Sequence, residues 1–254
     1  NESSSTEAAM ETLFSFANTS NKKTMDWLRR TIVIIDPCIN PDGRDRYVQF
    51  YTMTGTRPPD ANVSTREHQE PWPGGRTNHY YFDLNRDWAW QTQVETVQRM
   101  QLYNSWMPHI HVDYHEQYFN EPYYFAPAAK PYHLQITSWQ REFQKIIGKN
   151  HSRYFDNSNW LYFTKEHFDL LYPGYGDTYP IYNGAIGMTY EKAGGAAGGV
   201  SAITSDGDTL TLRSRIKQHH TTGLSTVESA YKHKDRIIKE FKYFFNKGID
   251  NPIS

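Results

Sequence analysis

The sequence contains very little cysteine, no excess of charge of either sign and no long hydrophobic run. Cys38 is the single cysteine among 254 residues, which excludes an internal disulfide and a zinc site built from cysteines. The longest aliphatic run covers residues 32–35, far short of the roughly 20 apolar residues that a membrane-spanning helix needs. These absences exclude disulfide scaffolds, zinc fingers and helical membrane proteins.

The charges are nearly balanced. Asp and Glu total 28, and Lys and Arg total 27, so the formal net charge is -1. A chain with this balance has no strong field for attracting a polyanion, which argues against a nucleic-acid partner. Its length is sufficient to bury a sizeable core within one domain.

The pattern of hydrophobic residues predicts strands that alternate with helices. The aliphatic run predicts a buried strand over 31–36, and Asn40-Pro41-Asp42-Gly43 after it predicts a turn. The other predicted elements are helices over 3–17, 90–107 and 136–147 and from Asp208 onward, strands over 109–115 and 186–190, and loops over 57–78, 172–181 and 194–199. This alternation predicts an α/β fold, a single domain over residues 1–254 with a mixed central sheet flanked by helices.

Residues 109–115, with the sequence HIHVDYH, carry three imidazoles and a carboxylate on one face of a predicted strand. We interpret His109 and His111 as part of a polar layer beneath a helix. His115 stands at the strand end, where ligands bind in such sheets, and is a candidate metal ligand. The string also resembles the His-x-His-x-Asp-His metal motif of metallo-β-lactamase-like hydrolases, but Tyr114 interrupts it.

Three further polar clusters are candidates for a site. Arg76 and Arg86, the latter beside Asn85, could bind an anion through bidentate hydrogen bonds, although a helix start with a surface ion pair is the simpler interpretation. Glu191 ends a hydrophobic strand, where a carboxylate would lie in a cleft or serve a structural role. Asn1-Glu2, taken alone, indicates no more than a helix-capping acid.

Taken in order, these clusters resemble the zinc carboxypeptidase family. The resemblance runs from the first residue to about Glu191, and although each motif is weak, five of them in this order are specific. The motifs are Asn1-Glu2 before a helix, Asn40-Pro41-Asp42-Gly43 after a strand, Gly75-Arg76 with Asp83-Leu84-Asn85-Arg86, Asp113-Tyr114-His115, and Thr189-Tyr190-Glu191.

The resemblance implies one Zn²⁺ ion, held by a His-x-x-Glu pair and a distant His. Glu2 matches the Glu of the pair, so the first His is expected two places before Asn1. The chain is therefore expected to be truncated ahead of that His and to lack the N-terminal strands of the domain. His115 matches the second His ligand, and Asp113 is a candidate partner for its ring.

The remaining family roles concern catalysis and substrate binding. Glu191 matches the general base and Arg76 the arginine that stabilises the oxyanion. Asn85 and Arg86 match the pair that binds the terminal carboxylate of the substrate. The mobile tyrosine of the family is assigned to the 172–181 loop, with Tyr172 as the candidate and Tyr175 as the alternative.

The function implied is hydrolysis of the C-terminal peptide bond, with a peptide carrying a free C-terminal carboxylate as the partner. Two alternatives stay open at this stage. One is a carboxypeptidase-like binding module that has lost its activity, and the other is an amidase or deacylase that acts on N-acyl amino acids or peptidoglycan stem peptides. Export from the cytoplasm is expected from the habit of the family, and His219-His220 in the last helix are interpreted as structural.

Overall fold

A four-stranded mixed sheet forms the centre of the fold in the computed structural model, which describes residues 2–250. Its strands are β1 Ile110–Gln117, β2 Tyr123–Tyr124, β3 Tyr162–Phe163 and β4 Ile186–Ala193, in the spatial order β1-β4-β2-β3. β1 is parallel to β4, β4 is antiparallel to β2, and β2 is parallel to β3. A separate hairpin joins β5 Ser201–Ile203 to β6 Thr209–Thr211. The mixed sheet expected from the sequence is confirmed.

Helices flank this sheet, also as expected. Within the described residues they are α1 Ser3–Ala17, α2 Lys22–Leu28, α3 Pro41–Thr54, α4 Val94–Trp106, α5 Ser138–Asn157, α6 Thr178–Tyr182 and α7 Leu212–Asp250. The last helix begins at Leu212 rather than at Asp208, and α6 lies inside a segment predicted to be a loop. None of these helices is both long enough and apolar enough to cross a membrane.

The core lies between the sheet and the helices α5 and α7. All eight residues of β4 are buried, because the strand has neighbours on both edges and covered faces. The core side chains include Tyr123, Phe143, Ile147, Phe155, Met188 and Ile237. Gln140 and Gln144 of α5 donate hydrogen bonds to the backbone carbonyls of Ala185 and Gly187, at 2.8 and 3.0 Å, and so hold the start of β4 against the helix.

The strand predicted over 31–36 is wrong. These residues form no strand, and Ile32 and Ile34 are 75% and 50% exposed. The segment lines one wall of an apolar cavity of about 780 Å³, and β1 lines another. Among residues 2–250, no strand pairs with the free edge of β1. A strand propensity becomes a strand only where a neighbouring backbone supplies the hydrogen bonds, and the described chain supplies none there.

The turn predicted at 40–43 is also wrong, because these residues begin α3. Asn40 is the N-cap, and its side chain accepts a hydrogen bond from the backbone N–H of Gly43 at 3.0 Å. Pro41 occupies the first helical position, where its missing N–H costs nothing. The same Asn40 side chain donates to the carbonyl of Arg76 at 3.1 Å, so this helix start positions a candidate site residue.

A buried carboxylate on α7 gives the fold a predictable response to acid. Glu228 Oε2 accepts hydrogen bonds from the Tyr154 hydroxyl at 2.7 Å and the Asn150 amide at 3.1 Å, and its Oε1 accepts one from Lys232 at 2.9 Å. Burial alone would raise the pKa of Glu228, but these contacts outweigh it and lower the pKa to about 2.

We therefore expect Glu228→Gln to reduce the free energy of unfolding at neutral pH by more than it does in acid. The folded pKa lies below the unfolded value of about 4.3, so the carboxylate stabilises the fold above about pH 4.3 and loses this effect as the pH falls towards 2. Urea unfolding of both proteins between pH 7 and pH 2 measures the difference. A difference in the free energy of unfolding that stays constant from pH 7 to pH 2 would contradict the prediction.

Candidate metal and substrate site

The carboxyl ends of β1 and β4 bring two of the predicted residues together. The strands are parallel, and His115 is the register partner of Glu191. Register partners on neighbouring strands share a face of the sheet, with backbones about 4.8 Å apart. Both side chains are largely buried, at 8% exposure for each residue. The pairing places an imidazole beside a carboxylate at the strand ends, where α/β proteins bind their ligands.

The start of α1 adds Glu2 to the opposite side of His115. Glu2 Oε2 lies 2.8 Å from His115 Nδ1. Asp113, on the same face of β1, has its Oδ2 2.8 Å from the other ring nitrogen, Nε2. Without a metal, both ring nitrogens donate hydrogen bonds to carboxylates. When Nδ1 loses its proton, Asp113 still holds the Nε2–H and the lone pair of Nδ1 faces Glu2, which is the arrangement that a histidine needs to bind a metal.

The charges around His115 favour a cation. Burial would lower the pKa of His115, but Asp113 and Glu2 outweigh it and raise that pKa well above its usual value. Burial would raise the pKa values of the two carboxylates, but His115, together with Arg76 for Glu2 and with Arg99 for Asp113, outweighs burial and lowers both. A metal ion would displace the proton from His115, and the two ionised carboxylates would then place two negative charges beside a divalent ion.

The donors present fit zinc, although they do not complete a zinc site. Zinc binds imidazole nitrogen and carboxylate oxygen, which His115 and Glu2 supply. The described residues contain no group of three or more His, Cys, Asp or Glu side chains placed to hold a metal. The third ligand implied by the resemblance would precede Asn1, which itself lies outside the described residues. Two of the three expected ligands are therefore in contact.

Arg76 joins the site through ion pairs. Its Nη1 donates to Glu2 Oε1 at 2.9 Å, and its Nε donates to Asp83 Oδ2 at 3.0 Å. Burial would lower the pKa of Arg76, but Glu2 and Asp83 raise it above its usual value, so the charge is permanent. The contribution of Asp83 was missed in the sequence analysis, even though the residue stands in a quoted motif.

Asn85 reaches the site, but its amide contacts protein groups. Its Oδ1 accepts a hydrogen bond from the backbone N–H of Gly176 at 2.8 Å, and its Nδ2 lies 3.0 Å from His115 Nε2. A Cβ at Gly176 would lie 2.1 Å from Asp113 Oδ2, so only glycine allows this loop to approach β1 so closely. The role of Asn85 in binding a substrate carboxylate remains a prediction.

Arg86 and the two candidate tyrosines form the outer part of the site. Arg86 Nη1 donates to the carbonyl of Asn85 at 2.9 Å, and the guanidinium lies 4.5 Å from the ring centre of Tyr175. Its side chain is 47% exposed, which leaves donors available to an anion. The Tyr172 hydroxyl accepts a hydrogen bond from Trp90 Nε1 at 2.9 Å, and its ring packs on Tyr175 at 4.9 Å.

Glu191 has the environment of a general base. Burial raises its pKa to about 8, with smaller and partly opposing effects from His115, Glu2, Asp113 and Arg76. Within residues 2–250 its carboxylate has no hydrogen-bond partner, so it is free to accept a proton. A divalent ion bound nearby would lower this pKa towards neutrality, the range in which a general base is most effective.

A cavity of about 180 Å³ connects the inner residues of the site. Its lining includes Glu2, Arg76, Asp83, Asn85, Asp113 and His115. Glu191, Arg86 and Tyr172 are not among the residues that line it. The structure therefore collects the predicted ligands and Arg76 around one cavity, adds Glu191 through strand pairing, and places Arg86 and Tyr172 on the adjoining surface.

His109, His111 and His219 each pack against an aromatic ring. His109 packs against Phe241 with ring centres 4.5 Å apart, and His111 packs against Trp88 at 5.1 Å. His219 Nδ1 lies 2.7 Å from the hydroxyl of Tyr123 in the core. A metallo-β-lactamase-like cluster along this strand is thus not formed.

Comparison with known proteins supports the same assignment. Residues 1–107 match the model of the zinc carboxypeptidase family. A crystal structure of a metallo-carboxypeptidase from Burkholderia cenocepacia has the same fold, with a TM-score of 0.58 and 13% sequence identity over 88% of this chain and 51% of that chain. The chain thus spans about half the length of that structure. No curated protein matches this chain. The resemblance inferred from the motifs is confirmed, and so is the fold.

Proposed function

We propose that this chain forms the catalytic centre of a zinc-dependent carboxypeptidase, which hydrolyses the last peptide bond of a peptide. The observation that carries the proposal is the contact between Glu2 Oε2 and His115 Nδ1 at 2.8 Å, with Asp113 on the other ring nitrogen. His115 lies between the carboxylates of Glu2 and Asp113, and Glu191 beside it is a third carboxylate, one with no hydrogen-bond partner among residues 2–250. An inactive binding module would have no chemical need for this arrangement.

Each residue has a separate task in this proposal. Glu2 and His115 would hold the zinc ion together with one further ligand from upstream, and Asp113 would keep the His115 ring oriented. When bound, zinc lowers the pKa of a water molecule and polarises the carbonyl of the scissile bond. Glu191 accepts the proton of the attacking water and passes it to the leaving amine.

Two arginines complete the proposed chemistry. Arg76 supplies a fixed positive charge to the oxyanion that develops on the carbonyl, a contribution of about 3 kcal/mol by comparison with other oxyanion donors. Arg86 binds the free α-carboxylate of the substrate, with Asn85 beside it and Tyr172 or Tyr175 covering the bound residue. The exposure of the Arg86 guanidinium supports this role.

Metal removal and product analysis test the proposal. The full-length protein should lose activity in excess chelator and regain it with one equivalent of Zn²⁺, and mass spectrometry should show single amino acids released from peptide C-termini. Assays on N-acyl amino acids and on peptidoglycan stem peptides compare the alternative substrates. Internal cleavage, or full activity after verified metal removal, would contradict the proposal.

A further inference from the structure

The first turn of α1 has no anion of its own. It contains no acidic residue, and Glu2, its N-cap, makes no side-chain capping hydrogen bond. Glu116 of β1 takes this position instead. Its Oε1 accepts hydrogen bonds from the backbone N–H of Ser4 at 3.1 Å and from the Ser4 hydroxyl. A carboxylate placed there satisfies a free backbone N–H and is stabilised by the helix dipole.

Arg215 of α7 holds Glu116 in this position. Its Nη1 donates to the same Glu116 Oε1 at 2.8 Å, and its Nη2 donates to the carbonyl of Gly199. The side chains of Arg215 and Glu116 are both completely buried. Removing either partner would leave an uncompensated charge in the interior, so the two side chains depend on each other.

The glycine-rich turn after β4 is shaped around this ion pair. A Cβ at Gly194 would lie 2.5 Å from Arg215 Nη1 and 2.7 Å from Glu116 Cδ, and one at Gly198 would lie 2.7 Å from Arg215 Nη1. These contacts are too short for any side chain. The loop predicted over residues 194–199 therefore closes over Arg215.

We propose that Glu116 and Arg215 are positioning residues for the metal ligand Glu2. Successive residues of β1 point to opposite faces, so His115 contacts Glu2 while Glu116 contacts Ser4. The strand thereby contacts the start of α1 at two points, and the second point determines where the Glu2 carboxylate lies. This inference rests on the proposed function, because it assumes that Glu2 binds the metal.

Zinc affinity tests the inference, measured on the full-length protein by competition with a chromophoric chelator. Glu116→Gln should weaken zinc binding about 10- to 100-fold, the range found when partners of metal ligands are removed. Glu228→Gln is the matched control, because Glu228 is also a buried carboxylate with several donors but contacts no residue of the site. It should change zinc affinity less than about two-fold. Arg215→Lys should retain more affinity than Arg215→Met.

Amide hydrogen exchange without metal provides a second readout. Exchange in the first turn of α1, from Ser4 to Glu7, should accelerate in Glu116→Gln but not in Glu228→Gln. Should Glu116→Gln fail to fold, Ser4→Ala removes the hydroxyl contact alone and should give a smaller effect in the same direction on both readouts.

The outcomes separate this inference from the proposed function. Wild-type zinc affinity in Glu116→Gln would overturn the inference and leave the carboxypeptidase assignment intact. Unchanged exchange in the first turn would also overturn it. A wild-type protein that binds no zinc would refute the proposed function and, with it, the claim that Glu2 is a metal ligand.

Discussion

Replacing Glu191 with Gln is expected to lower kcat about 100- to 10,000-fold while the fold and the zinc affinity are retained. The amide has nearly the same shape as the carboxylate but cannot accept the proton of the attacking water. No hydrogen bond among residues 2–250 depends on this carboxylate, and β4 is held through its backbone and its buried neighbours. The loss of kcat should therefore come from the missing proton acceptor and not from a change in the fold.

The effect of the same substitution on stability has a definite sign. The folded pKa of Glu191, about 8, lies above its unfolded value of about 4.3. The folded protein therefore binds more protons, and Glu191 reduces stability as the pH rises from about 4.3 to about 8. Glu191→Gln should remove this effect, so the Tm of the metal-free variant at pH 7 should equal or exceed that of the metal-free wild type.

Steady-state kinetics, zinc content and thermal unfolding of the wild type, Glu191→Gln and Glu228→Gln provide the measurement. Glu228→Gln carries the same chemical change at a buried carboxylate outside the site, and its kcat should match that of the wild type. A Glu191→Gln protein with zinc bound and more than about a third of wild-type turnover would show that Glu191 is only a structural carboxylate at a strand end.

Arg86→Ala with a free-acid peptide, and the wild type with the same peptide amidated at its C-terminus, should each lose at least about 30-fold in kcat/KM. Both changes remove one partner of the same charge-assisted contact, which commonly costs about 2–5 kcal/mol. At about 1.4 kcal/mol per factor of ten, the lower figure corresponds to roughly 30-fold. Combining the two changes should cost little more, because the contact is already lost.

All four combinations of enzyme and peptide are needed, together with a control arginine. Arg153 is half-exposed like Arg86, and its guanidinium also lies over a tyrosine, 5.1 Å from the ring centre of Tyr154. It contacts no residue of the site, so Arg153→Ala should leave kcat/KM unchanged. Equal cleavage of the free-acid and amidated peptides by the wild type would refute a carboxypeptidase, whatever the metal content.

Much of the site was predictable because its residues stand at the ends of strongly patterned elements. The alternation in residues 109–115 and the hydrophobic run before Glu191 predicted two strands, and both are present as β1 and β4. A residue at the end of a predicted strand lies at the edge of the sheet, so its place can be predicted before the residues that it contacts are known. The polar sequence around Arg76 and Arg86 left two interpretations open, an anion site and a helix start with an ion pair, and the structure shows ion pairs of both arginines with Asp83.

Local patterns could not predict features that depend on distant neighbours. The aliphatic segment 31–36 has strand propensity, but no backbone among residues 2–250 pairs with it as a strand. Asn85 carries a motif that suggested substrate binding, yet its amide contacts His115 and Gly176. The Glu116–Arg215 pair left no signal, because its members are far apart along the chain and each is an ordinary charged residue in its own segment.

The sequence by itself therefore determined the fold class, the family resemblance, and the identity of Glu2, His115 and Glu191 as candidate residues. These follow from periodicity and the order of motifs, which are properties of the chain. Only the tertiary structure decided the parallel register that places His115 beside Glu191, and the contact of α1 with β1 that brings Glu2 to the ring. Both depend on which surfaces pack together, and packing is decided by the whole chain rather than by any one segment.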